Sequence, residues 1–266
     1  MIKLAIFDVD GTLFSHKNFQ VPQSAVEAIE KLRQQDIEIA ICSGRPAYAL
    51  KSVIDAGVKF DYVVGCNGHC VCRKTDDLLK AVYFDKQSVQ DLSDFCQEHD
   101  YPLMWKFHNA NYYYNHMPEF DYISEAHGLS DDMLHKCYER DHHNYELPFG
   151  AATFIPQDEV DKYCEKHPEI NFVSFAKDRY DVSLKSVNKS TGLELLLKEI
   201  GLTFDECIAF GDGANDYEML SKVGIAVAMK ECHPSLLDVC DYHTDDCLED
   251  GIWNALKYYE LIEQEV

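Results

Sequence analysis

The spacing of apolar residues along the first quarter of the chain alternates between two periods. Leu4–Val9 is a short apolar run of the kind that forms a buried strand. The stretch Pro22–Gln35 places its apolar residues three and four positions apart, which is the spacing of one helix face. The alternation continues with a predicted strand at Ile37–Cys42, a helix at Pro46–Ala56 that Gly57 ends, and a strand at Tyr62–Val64. Repeated strand and helix in this order is the opening of an α/β fold.

The same alternation returns in the last third of the chain. The pattern predicts a helix from Lys189 to Ile200 with Gly201 as its stop, a strand at Cys207–Phe210, a helix from Asp216, a strand at Gly224–Val227 and a terminal helix from Leu248. Taken with the first quarter, this order predicts a doubly wound parallel sheet with helices on both faces, a Rossmann-like core.

The middle of the chain has a different pattern. Two pairs of alternating segments flank short polar turns and predict hairpins, one at Pro102–His108 and Tyr112–Tyr114, the other at Phe172–Ala176 and Tyr180–Leu184. Helical spacing near Lys86–His99 and Glu159–Lys166 predicts helices over one face of this second sheet. We therefore expect an inserted α/β cap domain at about 83–184, and a core formed by 1–82 and 185–266.

Composition and charge narrow the function classes. The 266 residues include 47 Asp and Glu against 24 Lys and Arg, a formal charge of −23, so we expect no nucleic-acid partner and no membrane partner. The 11 Cys are an odd number spread along the chain, which favours free thiols in the cytoplasm over a disulfide framework. We also expect no signal peptide and no membrane span, and a monomer or small homo-oligomer.

The first candidate site is Asp8-Val9-Asp10-Gly11-Thr12-Leu13-Phe14. Its two carboxylates follow a strand, and Gly11 allows the chain to turn there, so both can face the carboxyl edge of the sheet. An acidic turn after a strand is also common by chance, and the motif alone leaves both interpretations open. A calcium loop is excluded, because a strand precedes the motif where a helix is needed.

Three further candidates lie at strand ends or helix starts. Ser43-Gly44-Arg45 follows the second strand, where a hydroxyl and the backbone N–H groups of the next helix form an anion site. Lys189 opens a helix, although an isolated lysine is more often simply solvated. Gly211-Asp212-Gly213-Ala214-Asn215-Asp216 follows a strand and supplies two hard oxygen ligands suited to Mg²⁺.

Together and in this order, the four elements resemble the motifs of the haloacid dehalogenase superfamily of aspartate-nucleophile phosphohydrolases. The insert between Ser43 and Lys189 looks like the cap of its Cof-type sugar-phosphatase branch, subfamily IIB. The resemblance implies a Mg²⁺-dependent phosphatase that acts on small phosphorylated metabolites, with sugar phosphates the expected class. The acidic residues of the motifs support the implied metal and lysine. Like charges about 4 Å apart repel by roughly 4 kcal/mol at an effective dielectric near 20, so a site rich in carboxylates needs a cation and a lysine to bind a phosphate ester.

The resemblance also implies a role for each site residue. Asp8 is the expected nucleophile, and Asp10 is the expected general acid and base. The implied metal ligands are Asp8, the Asp10 carbonyl, Asp212 and Asp216, the last either as a ligand or as an orienter of the others. The implied phosphate-binding residues are Ser43, Gly44, Lys189 and Asn215. The expected substrate contacts are Arg45, Asn67 and Gly68. Arg179 is a further candidate because it lies at a hairpin tip of the insert, although an exposed turn residue is the slightly better interpretation there.

Other interpretations stay open at this point. Eukaryotic phosphomannomutases resemble this core and cap, so a phosphomutase is one alternative, and a catalytically idle sensor of phosphorylated ligands is another. The intact set of Asp8, Asp10, Lys189 and Asp212 weighs against a sensor. Cys66-Asn67-Gly68-His69-Cys70-Val71-Cys72 matches no strong structural-zinc spacing, and Asn67-Gly68 better fits a loop beside the active site.

Overall fold

The computed structural model describes residues 1–115, 118, 120, 129–130, 133–137 and 139–263. Their strands form two sheets. The strands of the larger sheet are β1 Leu4–Phe7, β2 Glu38–Cys42, β3 Tyr62–Gly65, β4 Cys70–Arg73, β5 Asp77–Ala81, β12 Cys207–Gly211, β13 Ile225–Ala228 and β14 Tyr242–His243. Their order in the sheet is β14-β13-β12-β1-β2-β3-β4-β5, and the strands from β14 through β3 are parallel.

Helices cover both faces of this sheet, as alternate side chains of β1 show. Ala5 and Phe7 belong to one buried cluster, together with residues of the helices Gln23–Arg33 and Gly251–Tyr258. Leu4 and Ile6 belong to another, with residues of the helices Lys189–Ile200 and Tyr217–Leu220. Successive strand residues point to opposite faces, so a strand that is apolar throughout needs cover on both sides. The predicted doubly wound parallel core is confirmed.

The register of β1 fixes where the candidate site motifs meet. Phe7 pairs with Ile41 of β2 on one side and with Phe210 of β12 on the other. All three strands run in the same direction, so the segments that follow them leave the sheet at one edge. This edge is where ligands bind in open α/β sheets.

Several predicted helices are shorter than expected. The predicted helix Pro46–Ala56 is a 3₁₀ turn at Ala47–Ala49 followed by a helix at Lys51–Asp55, with Leu50 between them in a non-helical conformation. The helix predicted from Asp216 covers only Tyr217–Leu220, and the terminal helix begins at Gly251 rather than Leu248. The helix Lys189–Ile200 matches its prediction, and Gly201 ends it in the left-handed conformation with φ 74°.

Strands β4 and β5 were missed by the sequence pattern. They extend the parallel sheet in antiparallel fashion beyond β3. Both are short, and β5 is only partly buried. A short edge strand gives a weak periodic signal, so its pairing depends on the sheet that it joins.

The strands of the second sheet are β6 Leu103–Lys106, β7 Asn111–Asn115, β8 Leu134–Lys136, β9 Gly150–Phe154, β10 Ile170–Ala176 and β11 Arg179–Leu184. Their order in the sheet is β10-β11-β9-β6-β7-β8, and all neighbouring pairs are antiparallel except β7 and β8. The helices Lys86–Glu98 and Gln157–Lys166 pack with it into a core that includes Trp105 and Phe107. Both predicted hairpins are confirmed, whereas the central strand β9 was not predicted.

The chain passes between the two sheets twice, after β5 and after β11. The His69 side chain joins the two connections: its Nδ1 lies 2.7 Å from the Val82 carbonyl, and its Nε2 accepts a hydrogen bond from the Leu184 N–H at 3.1 Å. The expected boundaries at 83 and 184 remain predictions, and these contacts lie beside them. Within the described part of the chain, no helix is both long and apolar enough to cross a membrane.

Candidate active site

Asp8 and Asp10 begin the site at the end of β1. Gly11 has φ 93°, a conformation that L side chains rarely adopt, and a Cβ at this position would collide with the Asp212 carboxylate. The chain therefore turns at once after Asp10 and lies against the loop that follows β12. Asp8 is buried, whereas a third of the Asp10 side chain is exposed.

Lys189 lies fully buried between two carboxylates. Its Nζ donates to Asp8 Oδ1 at 2.5 Å and to Asp216 Oδ1 at 2.6 Å. Asn188 places it, since the Asn188 side chain accepts from the Thr191 N–H at 2.9 Å and caps the helix that Lys189 opens. Burial alone would lower the pKa of Lys189, but the attraction of Asp216 and Asp8 outweighs it and raises the pKa. The lysine is therefore a fixed positive charge.

Three carboxylates converge beside this lysine. One ligand oxygen from each of Asp8, Asp212 and Asp216 lies within 4.8 Å of the others, and no other cluster of at least three His, Cys, Asp or Glu ligands was found among the described residues. Burial, with repulsion from neighbouring carboxylates, raises the pKa of Asp8 to about 7 and that of Asp212 to about 8. The negative charge thus exceeds what one lysine neutralises. Such a set of hard oxygen donors fits a divalent cation.

Asp216 is already engaged on both oxygens. Oδ1 accepts from Lys189, and Oδ2 accepts from the backbone N–H groups of Asp212 at 3.1 Å and Gly213 at 2.9 Å. Thr12 holds the neighbouring carboxylate, since its hydroxyl donates to Asp212 Oδ1 at 2.7 Å. Of the two roles left open for Asp216, these contacts favour an orienting one. Thr12 was missed as a site residue, although it lies within the first motif.

Arg45 binds Asp10 rather than pointing freely into the cavity. Its Nε and Nη2 donate to the two Asp10 oxygens at 2.8 and 2.5 Å, and its Nη1 donates to the Ser52 hydroxyl at 3.3 Å. The guanidinium also lies over the Phe14 ring, 5.3 Å from its centre. A second partner is His16, whose Nε2 lies 3.0 Å from Asp10 Oδ1. A bidentate pair of this kind fixes the orientation of the carboxylate.

The remaining core predictions lie around the same edge. The Ser43 hydroxyl is buried and accepts from the Arg45 N–H at 3.1 Å, while the Ser43 carbonyl accepts from the Asn67 N–H at 3.0 Å. Asn215 donates from Nδ2 to Asn67 Oδ1 at 2.9 Å. Gly68 packs so closely on the start of the lysine helix that a Cβ would collide with the Asn188 carbonyl. The Asn67-Gly68 loop thus lies beside the active site, as predicted.

A cavity of about 650 Å³ lies above these residues, between the strand ends of the core and the second sheet. Core residues on its wall include Asp8, Asp10, Ser43, Gly44, Arg45, Asp212 and Asn215. Second-sheet residues on its wall include Met104, Lys106, Asn111, Ala152, Phe175, Arg179 and Asp181. Of the two interpretations left open for Arg179, its place on the cavity wall favours the substrate contact, whereas Lys106 and Asp181 were not predicted.

Three side chains join the two sheets across this cavity. Lys106 is buried and donates to Asp181 Oδ1 at 2.5 Å and to the Gly44 carbonyl at 3.2 Å. Tyr48 donates its hydroxyl proton to Asn111 Oδ1 at 2.6 Å. Both contacts run from the loop after β2 to the second sheet. No local motif marks them, because each contact joins two single residues that are more than sixty positions apart in the chain.

Comparison with known proteins agrees with this geometry. The sequence profile described as haloacid dehalogenase-like hydrolase matches residues 5–256. The structure of BT1666, a phosphatase from Bacteroides thetaiotaomicron, is 26% identical with a TM-score of 0.86, covering 98% of this chain and 96% of that one. BT4131, described as a subclass IIB sugar phosphatase, is 22% identical with a TM-score of 0.86, covering 98% of this chain and all of its own, and shares the fold.

Another relative is a phosphatase named for a different substrate. The 5-amino-6-(5-phospho-D-ribitylamino)uracil phosphatase YcsE of Bacillus subtilis (strain 168) is 21% identical over 260 residues, covering 98% of this chain and 96% of its own. The chain belongs to the haloacid dehalogenase-like hydrolases. It is a phosphatase of the Cof-type branch, with the core and cap fold that the sequence predicted, and it acts on small phosphorylated metabolites.

Proposed function

We propose that the protein is a Mg²⁺-dependent phosphatase that hydrolyses phosphate monoesters through an aspartyl-phosphate on Asp8. The observation that carries the proposal is the convergence of Asp8, Asp212 and Asp216 within 4.8 Å, with Lys189 bound between two of them. The strand ends of a parallel sheet bring Asp8 and Asp212 to the floor of a cavity, and Asp216 and Lys189 are buried beside them.

The residues present fit a divalent cation. Asp8 and Asp212 supply carboxylate oxygens, the Asp10 carbonyl is the third expected protein ligand, and Asp216 orients the loop that carries Asp212. The raised pKa values of Asp8 and Asp212 indicate that both carboxylates need a positive neighbour to stay ionised near neutral pH. When bound, Mg²⁺ would neutralise the charge of the phosphoryl group as it is transferred.

In this proposal Asp8 acts as the nucleophile. Lys189 holds Oδ1, which leaves Oδ2 to form a bond to phosphorus while the bond from phosphorus to the ester oxygen breaks. Lys189, the Ser43 hydroxyl and the backbone N–H groups after each strand would bind the phosphoryl oxygens, with Gly44 and Asn215 beside them. A covalent intermediate divides one difficult displacement into two easier steps.

Asp10 would move the protons. In the first step its carboxyl group gives a proton to the leaving ester oxygen, which departs as an alcohol. In the second step the carboxylate takes a proton from water, whose oxygen attacks phosphorus, releases inorganic phosphate and restores Asp8. Arg45 and His16 hold Asp10 where both transfers can occur.

Residues 83–184 are our proposed cap. Their sheet covers the cavity, and closure over a bound substrate would exclude water while Asp8 is phosphorylated. Sugar phosphates are the first class to test, supported by the likeness to BT4131. The free cysteines of the chain support a cytoplasmic location, where we expect a monomer or small homo-oligomer.

The test is a panel of phosphorylated metabolites assayed for phosphate release with Mg²⁺ and again with EDTA. We expect release from some esters with Mg²⁺, loss of release in EDTA, and recovery when Mg²⁺ is added back. Phosphate transfer between positions of one sugar, with little release, would support the phosphomutase. Tight binding without turnover would support the sensor and contradict our proposal. Full activity in EDTA would contradict the metal role.

A further inference from the structure

The two ends of the cavity differ in chemistry. The floor carries the carboxylates of Asp8, Asp10 and Asp212, at the proposed site for phosphate and metal. The end beneath the second sheet is lined largely by apolar side chains, among them Met104, Ala152, Val173 and Phe175. A phosphate ester bound at the floor must place its organic group against this second end.

The polar side chains at the second end are mostly engaged by the protein itself. Lys106 binds Asp181 and the Gly44 carbonyl, and the Asn111 amide oxygen accepts from Tyr48. The Ser174 hydroxyl donates to the Ala176 carbonyl at 3.0 Å. A polyhydroxyl group bound here would compete with these contacts, and each buried hydroxyl left without a partner costs about 1–3 kcal/mol in proteins.

Two phenylalanines on the cavity wall are exposed instead. Phe19 from the core is 57% exposed, and Phe175 from the second sheet is 50% exposed. Irregular backbone places each of them. Phe19 has φ 57°, a conformation that is costly for a bulky residue, and Phe175 is the extra residue of a β-bulge between Ser174 and Ala176. Bulges and strained residues recur beside active sites, where they direct a side chain.

The planar cationic side chain of Arg179 belongs to the same hairpin as Phe175. Arg179, on the partner strand of the same hairpin, lines the cavity with its guanidinium over the Phe154 ring, 5.1 Å from its centre. Aromatic side chains and guanidinium groups offer flat faces that favour a flat ring over a puckered one.

We propose that the organic group of the substrate carries a flat aromatic ring that contacts Phe19 from the core and Phe175 from the second sheet. The substrate class is then a phosphate ester of an alcohol that bears an aromatic or heteroaromatic ring, rather than a simple sugar phosphate. This inference rests on the proposed phosphatase activity and names the substrate class of the same site.

The first experiment uses the unmodified protein and two matched esters, benzyl phosphate and cyclohexylmethyl phosphate. Both release a primary alcohol with the same carbon skeleton, and they differ in whether the ring is flat. We expect kcat/KM for benzyl phosphate to be higher by about tenfold, the size of one to two favourable aromatic contacts. Glucose 6-phosphate and ribose 5-phosphate, assayed beside them, should be poorer substrates than benzyl phosphate.

The second experiment tests the two rings with Phe175→Leu and Phe19→Leu. Leucine keeps an apolar side chain but removes the flat face, so each variant should lower the ratio of the two kcat/KM values by about threefold. Tyr145→Leu is the matched control, because Tyr145 is 81% exposed and does not line the cavity. It should leave the ratio unchanged.

The outcomes separate this inference from the proposed function. If no ester, aromatic or aliphatic, releases phosphate with Mg²⁺, the proposed function fails. If esters are hydrolysed but the unmodified protein shows a ratio near one, or prefers the sugar phosphates, the inference fails and the phosphatase stands. The comparison within the unmodified protein decides this even if a phenylalanine variant does not fold.

Discussion

The floor of the cavity and its cap end are built in different ways. At the floor, ion pairs connect groups from three strand ends: Lys189 binds Asp8 and Asp216, and Arg45 binds Asp10. At the cap end, Lys106 and Asp181 form one buried ion pair among apolar and aromatic side chains. The floor has a rigid charged geometry suited to one chemical group. The cap end offers mainly shape and apolar surface, which can change without touching the chemistry.

This difference indicates that catalysis depends on the floor of the cavity and substrate selectivity on its cap end. Phosphate is common to all substrates of such an enzyme, so substitutions at the floor should affect every ester alike. Substitutions at the cap end or at the junction should change substrate preference or stability by smaller amounts. Four predictions test this division, in decreasing order of expected effect.

The largest effect is expected at the floor, with Asp8→Asn. The amide cannot attack phosphorus, so kcat should fall by at least about a thousandfold for every ester. The fold should persist, since the change removes one of several mutually repelling carboxylates. Asp238→Asn, an exposed carboxylate outside the cavity wall, is the control. Phosphate-release assays and thermal unfolding of both variants check this, and residual activity above a few per cent would refute the nucleophile assignment.

A smaller effect, dependent on the leaving group, is expected for Arg45→Lys. Lysine cannot form the bidentate pair that orients Asp10, so proton donation to the ester oxygen should weaken. We expect kcat to fall by about a hundredfold for alkyl phosphates and by about tenfold or less for p-nitrophenyl phosphate, whose leaving group needs little protonation. Arg33→Lys is the control, because it makes the same exchange in an ion pair with Asp61 that lies outside the cavity wall. Equal losses for both ester types would show that Arg45 has another role.

At the junction of the two sheets, His69 should make stability depend on pH. Burial, with the nearby charge of Lys106, lowers the pKa of His69 from 6.5 to about 4. Between these values the unfolded chain binds a proton that the folded chain does not. Stability from this group is therefore complete above pH 6.5 and declines as the pH falls towards 4. At pH 5 the loss should be about 2 kcal/mol.

Urea unfolding at pH 7 and pH 5 measures this dependence. His69→Gln should remove the pH-dependent part, and the same measurement on His99→Gln, an exposed histidine, controls for removing one imidazole. If unmodified protein and His69→Gln lose the same stability between the two pH values, the loss comes from other groups.

The smallest effect is expected for Tyr48→Phe, which removes one hydrogen bond between core and cap. The change leaves the Asn111 amide oxygen without its tyrosine partner, a cost of about 1 kcal/mol. Because this contact holds the cap over the floor, KM should rise about fivefold while kcat changes little. Tyr62→Phe, which removes a similar bond to Glu38 away from the cavity, is the control. A loss in kcat without a change in KM would show that Tyr48 affects catalysis at the floor rather than the position of the cap.

The accuracy of the sequence-based predictions follows the same division. Asp8, Lys189 and Asp212 could be predicted to meet, because each directly follows a strand or opens a helix of a parallel sheet. Lys106 and Asp181 could not be, since a lone lysine and a lone aspartate in alternating strands are normally solvated. Only the sheet order brings β6 and β11, both hydrogen-bonded to β9, to the same cavity.

Arg45 shows an intermediate case. Its position in Ser43-Gly44-Arg45 marked it as a site residue, and the expected partner was the substrate. The structure pairs it with Asp10, thirty-five positions away, because β1 and β2 are neighbours in the sheet. The motif predicted which residue matters, whereas strand adjacency decided what it contacts.

The sequence by itself determined the strand and helix alternation, the hairpins of the insert, and the residues that we propose bind phosphate. These depend on local periodicity, on capping by residues such as Asn188, and on motifs of a few adjacent positions. The tertiary structure alone decided the antiparallel strands β4, β5 and β9, the His69 contacts between the two connections, and the aromatic wall at Phe19 and Phe175. Strand β9, the His69 contact with Leu184 and the aromatic wall each bring together segments far apart in the chain, about which local periodicity carries no information. Strands β4 and β5 pair with neighbouring segments but are too short to give a clear periodic signal.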